Sequence, residues 1–162
     1  VDGEPLVRRA ARTLGTADLH PLVAVVGHEA DRVREALDGL GFAFVTNPDY
    51  AEGQATSVAA GVRSLDAVDA AVFALGDMPF VDADSVRALV AAYRSGHGTA
   101  LAAAHGGRRG NPVLFDARHF PALSDVDGDV GGRGILLSAE RGALVETGDP
   151  GVTRDVDVPD DL

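Results

Sequence analysis

Short apolar runs alternate with helically spaced apolar positions along most of the chain. Residues 22–26 and 70–75 are continuous apolar runs, the pattern of strands buried on both faces. Residues 42–46 predict a further strand. Between these runs the spacing changes to helical. Asp2-Gly3-Glu4-Pro5 reads as a helix start with Pro in the first turn; Leu6, Ala10 and Leu14 share one face, and Gly15 ends the helix. Val33, Leu37 and Leu40 repeat the pattern up to Gly41, and Val58, Val62 and Leu65 repeat it after Gly53. Asp82 to Ser85 read as the cap of a helix that turns Val86, Leu89, Val90 and Tyr93 inward and ends at Gly96. Residues 99–104 and 112–115 predict two strands around a Gly/Arg loop, and 134–141 a helix. Residues 143–146 and 152–156 are expected to close the sheet. This alternation of strand and helix predicts an α/β domain spanning 1–162, with a mostly parallel sheet covered by helices.

Composition narrows the function more than the fold. The 162 residues suffice for one core, with 46% hydrophobic and 24% charged residues. No apolar run approaches the about 18 residues of a membrane span, and no signal-peptide pattern is present, so a cytoplasmic protein is expected. The absence of Cys excludes disulfides, thiolate catalysis and Cys-based metal sites. The net charge is −11 and every fixed cation is Arg. Such a surface disfavours general nucleic-acid binding, which needs phosphate neutralisation.

Five segments carry candidate chemistry. Leu75-Gly76-Asp77-Met78-Pro79 follows the most apolar run, where ligands of open α/β sheets bind. A carboxylate emerging there is suited to Mg²⁺, which takes oxygen ligands and substrate phosphates; Asp77 as a plain turn residue is the alternative. Gly76 lets the backbone approach a ligand. Asn47-Pro48-Asp49-Tyr50-Ala51-Glu52-Gly53-Gln54-Ala55-Thr56-Ser57 offers amides and hydroxyls where a helix begins, a place that favours anions. A simple capped loop would give the same pattern. His105-Gly106-Gly107-Arg108-Arg109-Gly110-Asn111-Pro112 is a cationic loop on an acidic protein, and Arg binds phosphate through two N–H groups at once; a solvated hairpin loop is the alternative. Residues 125–133 alternate acids as a Ca²⁺ loop does, but the closing Glu is replaced by Leu136. A loop turning Asp129 and Arg133 towards substrate fits better. In 154–162, strand alternation would put Asp155 and Asp157 on one face, where one of them could meet Asp77 across a shared Mg²⁺; a solvent-facing edge strand is the alternative. The five His residues show no metal-ligand spacing, and there is no Gly-x-Ser-x-Gly elbow or P-loop.

Taken in order, the LGDMP segment, the N-P-x-Y-x-x-G-x-x-x-S segment, R-G-N-P-V-L-F, G-D-V-G-G-R-G and D-V-D-V-P-D-D-L resemble the molybdenum cofactor cytidylyltransferases and related MobA-like nucleotidyltransferases. The resemblance covers essentially the whole chain. It implies a Rossmann-like three-layer αβα sandwich of glycosyltransferase-A type. It implies transfer of CMP from CTP, or of a GTP-derived group, to the phosphate of molybdopterin, with release of pyrophosphate. By motif, Asp77 resembles the Mg²⁺-binding aspartate, and Asp155 or Asp157 the second acid at the metal. Asn47, Gly53 and Ser57 resemble the nucleotide-side loop. Gly110, Asn111 and Pro112 resemble the acceptor-side turn, which Arg108 and Arg109 adjoin; Asp129 and Arg133 match the G-D-x-G-x-R segment. The family opens with a strand and a loop of the form L-A-A-G-x-S-x-R-M-G-x-x-K that holds the triphosphate. Nothing in 1–162 matches it, so the expectation is a domain lacking its first β-strand and Gly-rich loop. Guanylyl transfer, transfer to a sugar phosphate, and a non-catalytic nucleotide- or cofactor-binding homologue are the competing expectations.

Overall fold

The computed structural model describes residues 3–125, 131–138 and 142–156. The elements are α1 (Leu6–Thr16), β1 (Val23–Val26), α2 (Ala30–Ala36), β2 (Ala43–Thr46), α3 (Gln54–Arg63), β3 (Ala70–Phe73), α4 (Ala83–Arg94), β4 (Ala100–His105), β5 (Arg108–Asp116), α5 (Phe120–Ser124), α6 (Gly131–Ser138) and β6 (Gly142–Glu146). Short 3-10 turns occupy Tyr50–Glu52, Ala117–His119 and Pro150–Thr153.

The strands form two hydrogen-bonded groups. β1 and β2 pair in parallel; the second group runs β3-β5-β4-β6. β5 is antiparallel to both β3 and β4, whereas β6 is parallel to β4. The four-stranded group is therefore mixed rather than purely parallel, because β4 and β5 form a hairpin through Gly106 and Gly107. Both glycines have positive φ, at 58° and 74°.

Helices cover both faces, giving three layers. On one face Val58 and Val62 of α3, Leu123 of α5 and Ile135 and Leu136 of α6 pack against Phe73, Ala100, Ala102 and Phe115. On the other, Leu89, Val90 and Tyr93 of α4 pack against Leu101, Ala103 and Leu114. Alternation along β4 explains this division: successive residues point to opposite faces, and Ala100 to Ala103 are fully buried. Small side chains there let helices approach closely on both sides. Among the described residues, no helix is long and apolar enough to cross a membrane.

Two expectations need correction. Residues 152–156 do not form a closing strand; Pro150 starts a 3-10 turn, and an extended segment follows it. A ring-locked φ and a missing N–H suit Pro to that turn and not to a strand interior. The strand face assumed for Asp155 and Asp157 therefore does not exist over 152–156. The helix expected at 134–141 begins earlier, at Gly131.

Candidate active site at the strand ends

β3 delivers Asp77 to the carboxyl end of the sheet. The chain leaves the ladder after Phe73; Met78 and Pro79 turn inward while Asp77 is exposed. Burial of Met78, 5% exposed, anchors the turn, so the neighbouring carboxylate is held at the surface rather than swinging with a loose loop. α1 lies along this segment. A Cβ added to Gly76 would stand 3.2 Å from Val7 Cγ2, and Thr13 Oγ1 donates to the Val81 carbonyl at 3.2 Å.

β5 contributes a bulge at the same end. Ala102 pairs with Val113 and Ala104 with Arg109, so residues 110–112 of β5 oppose one residue of β4. Pro112 cannot donate to the ladder, which favours leaving it here. The bulge brings Gly110 against the carbonyl of Val152: an added Cβ would stand 1.9 Å from that oxygen. Gly151 meets the Phe80 carbonyl as closely, at 2.0 Å. Only glycine fits at either contact. The turn at Pro150–Thr153 is thereby wedged between the bulge and the segment after Asp77.

From that turn the chain runs directly to Asp77. The Val156 N–H donates to the Asp77 carbonyl at 2.9 Å. Asp155, which is exposed, thus lies one residue from a backbone bond to Asp77. The fold brings together Asp77, Gly76, Gly110, Asn111, Pro112 and Asp155. Asp157 and Asp129 fall outside the described residues, as does the side chain of Arg133.

Asp149, absent from the sequence-based candidates, organises this junction. It is 9% exposed. Its Oδ2 accepts from the Asp82 N–H at 2.9 Å and from Ser85 Oγ at 2.8 Å; its Oδ1 accepts from the Gly151 N–H at 2.7 Å. The expected side-chain cap of α4 by Asp82 is not made. Asp149 supplies an anion at that helix start instead, favoured by the orphan N–H groups and the helix dipole. Asp149-Pro150-Gly151 is a turn signature, and this was the available signal.

The segment after β2 is organised differently. Asn47 is 3% exposed, and both ends of its amide are used. Nδ2 donates to Thr56 Oγ1 at 2.8 Å and Ser57 Oγ at 2.9 Å, and Oδ1 accepts from the Asp49 N–H at 3.0 Å. Asn47 therefore pins the start of α3. Gly53, at φ 123°, makes the reversal that lets α3 begin. Ser57 accepts from Asn47, and among the described residues its own hydroxyl proton has no acceptor.

Arg108 and Arg109 are exposed beside the hairpin tip, Arg108 opposite His105. The tip is fastened by Glu146, whose carboxylate accepts from the Gly106 and Gly107 N–H groups at 2.8 and 3.0 Å. Those two donors, Gly107 first, hold the Glu146 carboxyl below the usual carboxylate range.

A family model described as the MobA-like NTP transferase domain matches residues 1–143. The purine catabolism protein PucB of Bacillus subtilis (strain 168) is 32% identical over 117 residues, covering 70% of this chain and 56% of PucB. Nicotine blue oxidoreductase of Paenarthrobacter nicotinovorans is 29% identical over 167 residues, covering 99% of this chain and 82% of that protein. Among solved structures, the manganese complex of Rv0371c from Mycobacterium tuberculosis H37Rv superposes with a TM-score of 0.77. It is 23% identical, with 96% of this chain and 83% of that chain covered, a likeness of fold. With the family model matched through residue 143 and the same layered architecture around the strand ends, this chain belongs to the MobA-like NTP transferase family.

Proposed function

We propose that the protein is a nucleotidyltransferase that moves CMP from CTP to the phosphate of a molybdopterin-type acceptor and releases pyrophosphate. The observation that carries this proposal is the bond from Val156 N–H to the Asp77 carbonyl, which brings Asp155 beside the strand-end aspartate.

Mg²⁺ is the proposed metal. Asp77 and Asp155 are exposed carboxylates on adjoining segments, hard oxygen donors of the kind Mg²⁺ takes. One or two carboxylates plus substrate phosphates is its usual arrangement. The manganese complex of Rv0371c, a protein of this fold, supports a divalent ion here. When bound, the ion neutralises phosphate charge and aligns the reacting groups.

In the reaction, an acceptor phosphate oxygen forms a bond to the α-phosphorus. The bond to the β-phosphate bridging oxygen breaks, and pyrophosphate leaves with that electron pair. Such transfers depend on positioning and charge neutralisation. Asp77 and Asp155 would hold the ion, whose charge would offset that of the triphosphate. The 110–112 bulge offers the Asn111 amide to the acceptor, and Arg108 and Arg109 supply cations at its rim. On the nucleotide side, the Ser57 hydroxyl is the group with a proton to give, because Asn47 is consumed by the fold. Asp157, Asp129 and Arg133 remain in the proposal as a second acid and acceptor-side residues.

The test is pyrophosphate release with each nucleoside triphosphate, Mg²⁺ and reduced molybdopterin. CTP-dependent release that falls at least about a hundredfold in a folded Asp77→Asn variant is expected. Full activity of that variant would sink the metal assignment. GTP-dependent release would instead favour guanylyl transfer. A second reading, a redox role on the same fold, is favoured by nicotine blue oxidoreductase matching 99% of the chain. Consumption of a nicotinamide cofactor without pyrophosphate release would select it. Binding without either reaction would leave a non-catalytic homologue.

A further inference from the structure

We propose that Tyr50, laid over Gly27 and flanked by His28, is a stacking ledge for the planar base of the nucleotide. β1 and β2 run in parallel, so the segments that follow them leave at one end of the pair, the end where open α/β sheets bind ligands. Gly27, His28 and Glu29 follow β1, and Tyr50 follows β2. The Asn47 N–H donates to the Val26 carbonyl at 2.8 Å and holds the two exits side by side. The inference deepens the transferase reading, on which the identity of the ring's ligand rests.

An exposed ring with a prepared seat distinguishes Tyr50. Among the described residues the exposed large apolar side chains are Phe44, Tyr50, Leu137 and Leu144. Leu137 and Leu144 carry no ring, and Phe44 has the Arg34 guanidinium carbon 6.0 Å from its centroid. Tyr50 is 44% exposed, and among the described residues no Arg lies over it. Its root rests on Gly27: an added Cβ there would stand 2.5 Å from Tyr50 Cβ, 2.6 Å from Cγ and 2.7 Å from Cδ1. Any residue but glycine at that exit would push the ring away. The His28 ring centroid lies 6.0 Å from that of Tyr50, with the planes 52° apart. The two rings make an open angle and not a closed stack, and Tyr50 keeps surface for a third ring.

The turn that carries Tyr50 is set by buried Asn47. Asn47 Oδ1 accepts from the Asp49 N–H at 3.0 Å, and Nδ2 donates to Ser57 Oγ at 2.9 Å. Thr56 Oγ1 donates to the Asp49 carbonyl at 3.1 Å and closes the segment. One amide therefore couples the ledge to the Ser57 hydroxyl, the group assigned above to the nucleotide side. A base laid on Tyr50 covers exposed aromatic surface and gains the contact energy of a stacked pair. Every base has a π-face, so the ledge supplies affinity and not the choice between CTP and GTP.

The test separates the base from the phosphates. CTP, GTP and inorganic tripolyphosphate, each with Mg²⁺, would be titrated calorimetrically into the wild type, Tyr50→Phe and Tyr50→Ala. Tyr50→Ala is expected to weaken CTP and GTP alike, about tenfold, the loss of one base–aromatic stack, and to leave tripolyphosphate binding unchanged. Tyr50→Phe should keep wild-type affinity. The cytosine H5 and H6 resonances should move upfield on binding to the wild type and Tyr50→Phe but not to Tyr50→Ala. Gly27→Ala should weaken CTP with Tyr50 intact, because the new methyl displaces the ring. Should Tyr50→Ala lose its fold, Tyr50→Leu, apolar but without a ring, carries the test. Wild-type CTP affinity in the folded variant, or equal weakening of CTP and tripolyphosphate, overturns the proposal. So does CTP binding by the wild type without the upfield shift, or no CTP binding at all. Weaker binding of reduced molybdopterin with CTP unaffected would also overturn it and give the ring to the acceptor. Binding needs no turnover. A protein that stacks CTP on Tyr50 but releases no pyrophosphate would refute the transferase reading and leave the ledge standing. One that releases pyrophosphate with an unchanged KM for CTP in Tyr50→Ala would do the reverse.

Discussion

Asn47 and Asp149 are buried polar side chains that perform one task in two parts of the molecule: each follows a strand and fixes the start of a helix. They differ in reach. Asn47 bonds Thr56 and Ser57, nine and ten residues along the chain, whereas Asp149 bonds Asp82 and Ser85, 67 and 64 residues away. They differ also in setting. Asn47 leads from β2, three of whose four residues are exposed; Asp149 follows β6, which is paired along its length with the buried strand β4. The local pin closes a loop on itself. The long-range pin joins α4, the Pro150–Thr153 turn and, through Val156, the Asp77 carbonyl. A locally pinned segment can deform without disturbing its surroundings. One pinned across the fold cannot, so it suits the groups that must hold a metal and a reacting phosphate in register.

The comparison yields a graded set of expected effects. Asp149→Ala should be the most damaging, because three donors lose a buried charged acceptor. A loss of about 3 to 5 kcal/mol is expected in denaturant unfolding, with activity falling in whatever fraction stays folded. Gly110→Ala should follow, at about 3 kcal/mol, since the new methyl overlaps the Val152 carbonyl and the backbone must shift. It should also lower turnover by displacing the tail beside Asp77. Asn47→Ala is expected to cost about 2 kcal/mol, and hydrogen exchange should rise over 47–57 while the Asp82, Gly151 and Val156 amides stay protected. Equal exchange at both sets of amides would erase the distinction between the two pins.

The smallest effect lies at the far end of β5. Tyr93 donates to Asp116 at 2.7 Å. Burial, then that bond, pushes the Tyr93 hydroxyl up from 10.0 to about 12. Burial pushes the Asp116 carboxyl up, but bonds from the Arg118 N–H, Tyr93 and the Arg118 guanidinium outweigh it and leave it below the usual range. A raised phenol binds its proton more tightly when folded. Its contribution is therefore complete below pH 10 and lost as pH rises towards about 12. Tyr93→Phe should cost less than about 1 kcal/mol, given partial exposure, and flatten that alkaline decline without changing turnover. An unchanged pH–stability curve in the variant would contradict the assignment.

Local pattern made much of this legible. Periods near two and four placed α1, α3, α4 and the strands from β1 to β6 within a few residues, since each signal spans one element. The LGDMP and R-G-N-P segments marked the strand ends because Gly and Pro are tied to close approach and ladder exit. What escaped was set by distance. Nothing near Asp149 says that α4 receives its anion from there, so Asp82 looked like the cap. Nothing near Asn47 says that Thr56 and Ser57 absorb its amide, so it looked free for a nucleotide. The alternation of 152–156 suggested a strand, but Pro150 and the contacts of Gly110 and Gly151 impose a turn.

The most direct test of the strand-end site is Mn²⁺ broadening of backbone amide resonances with CTP present. Loss of signal confined to 76–78 and 154–156, with 47–57 less affected and Tyr93 untouched, is the predicted result. Broadening centred elsewhere, with the Asp77 segment sharp, would contradict the account.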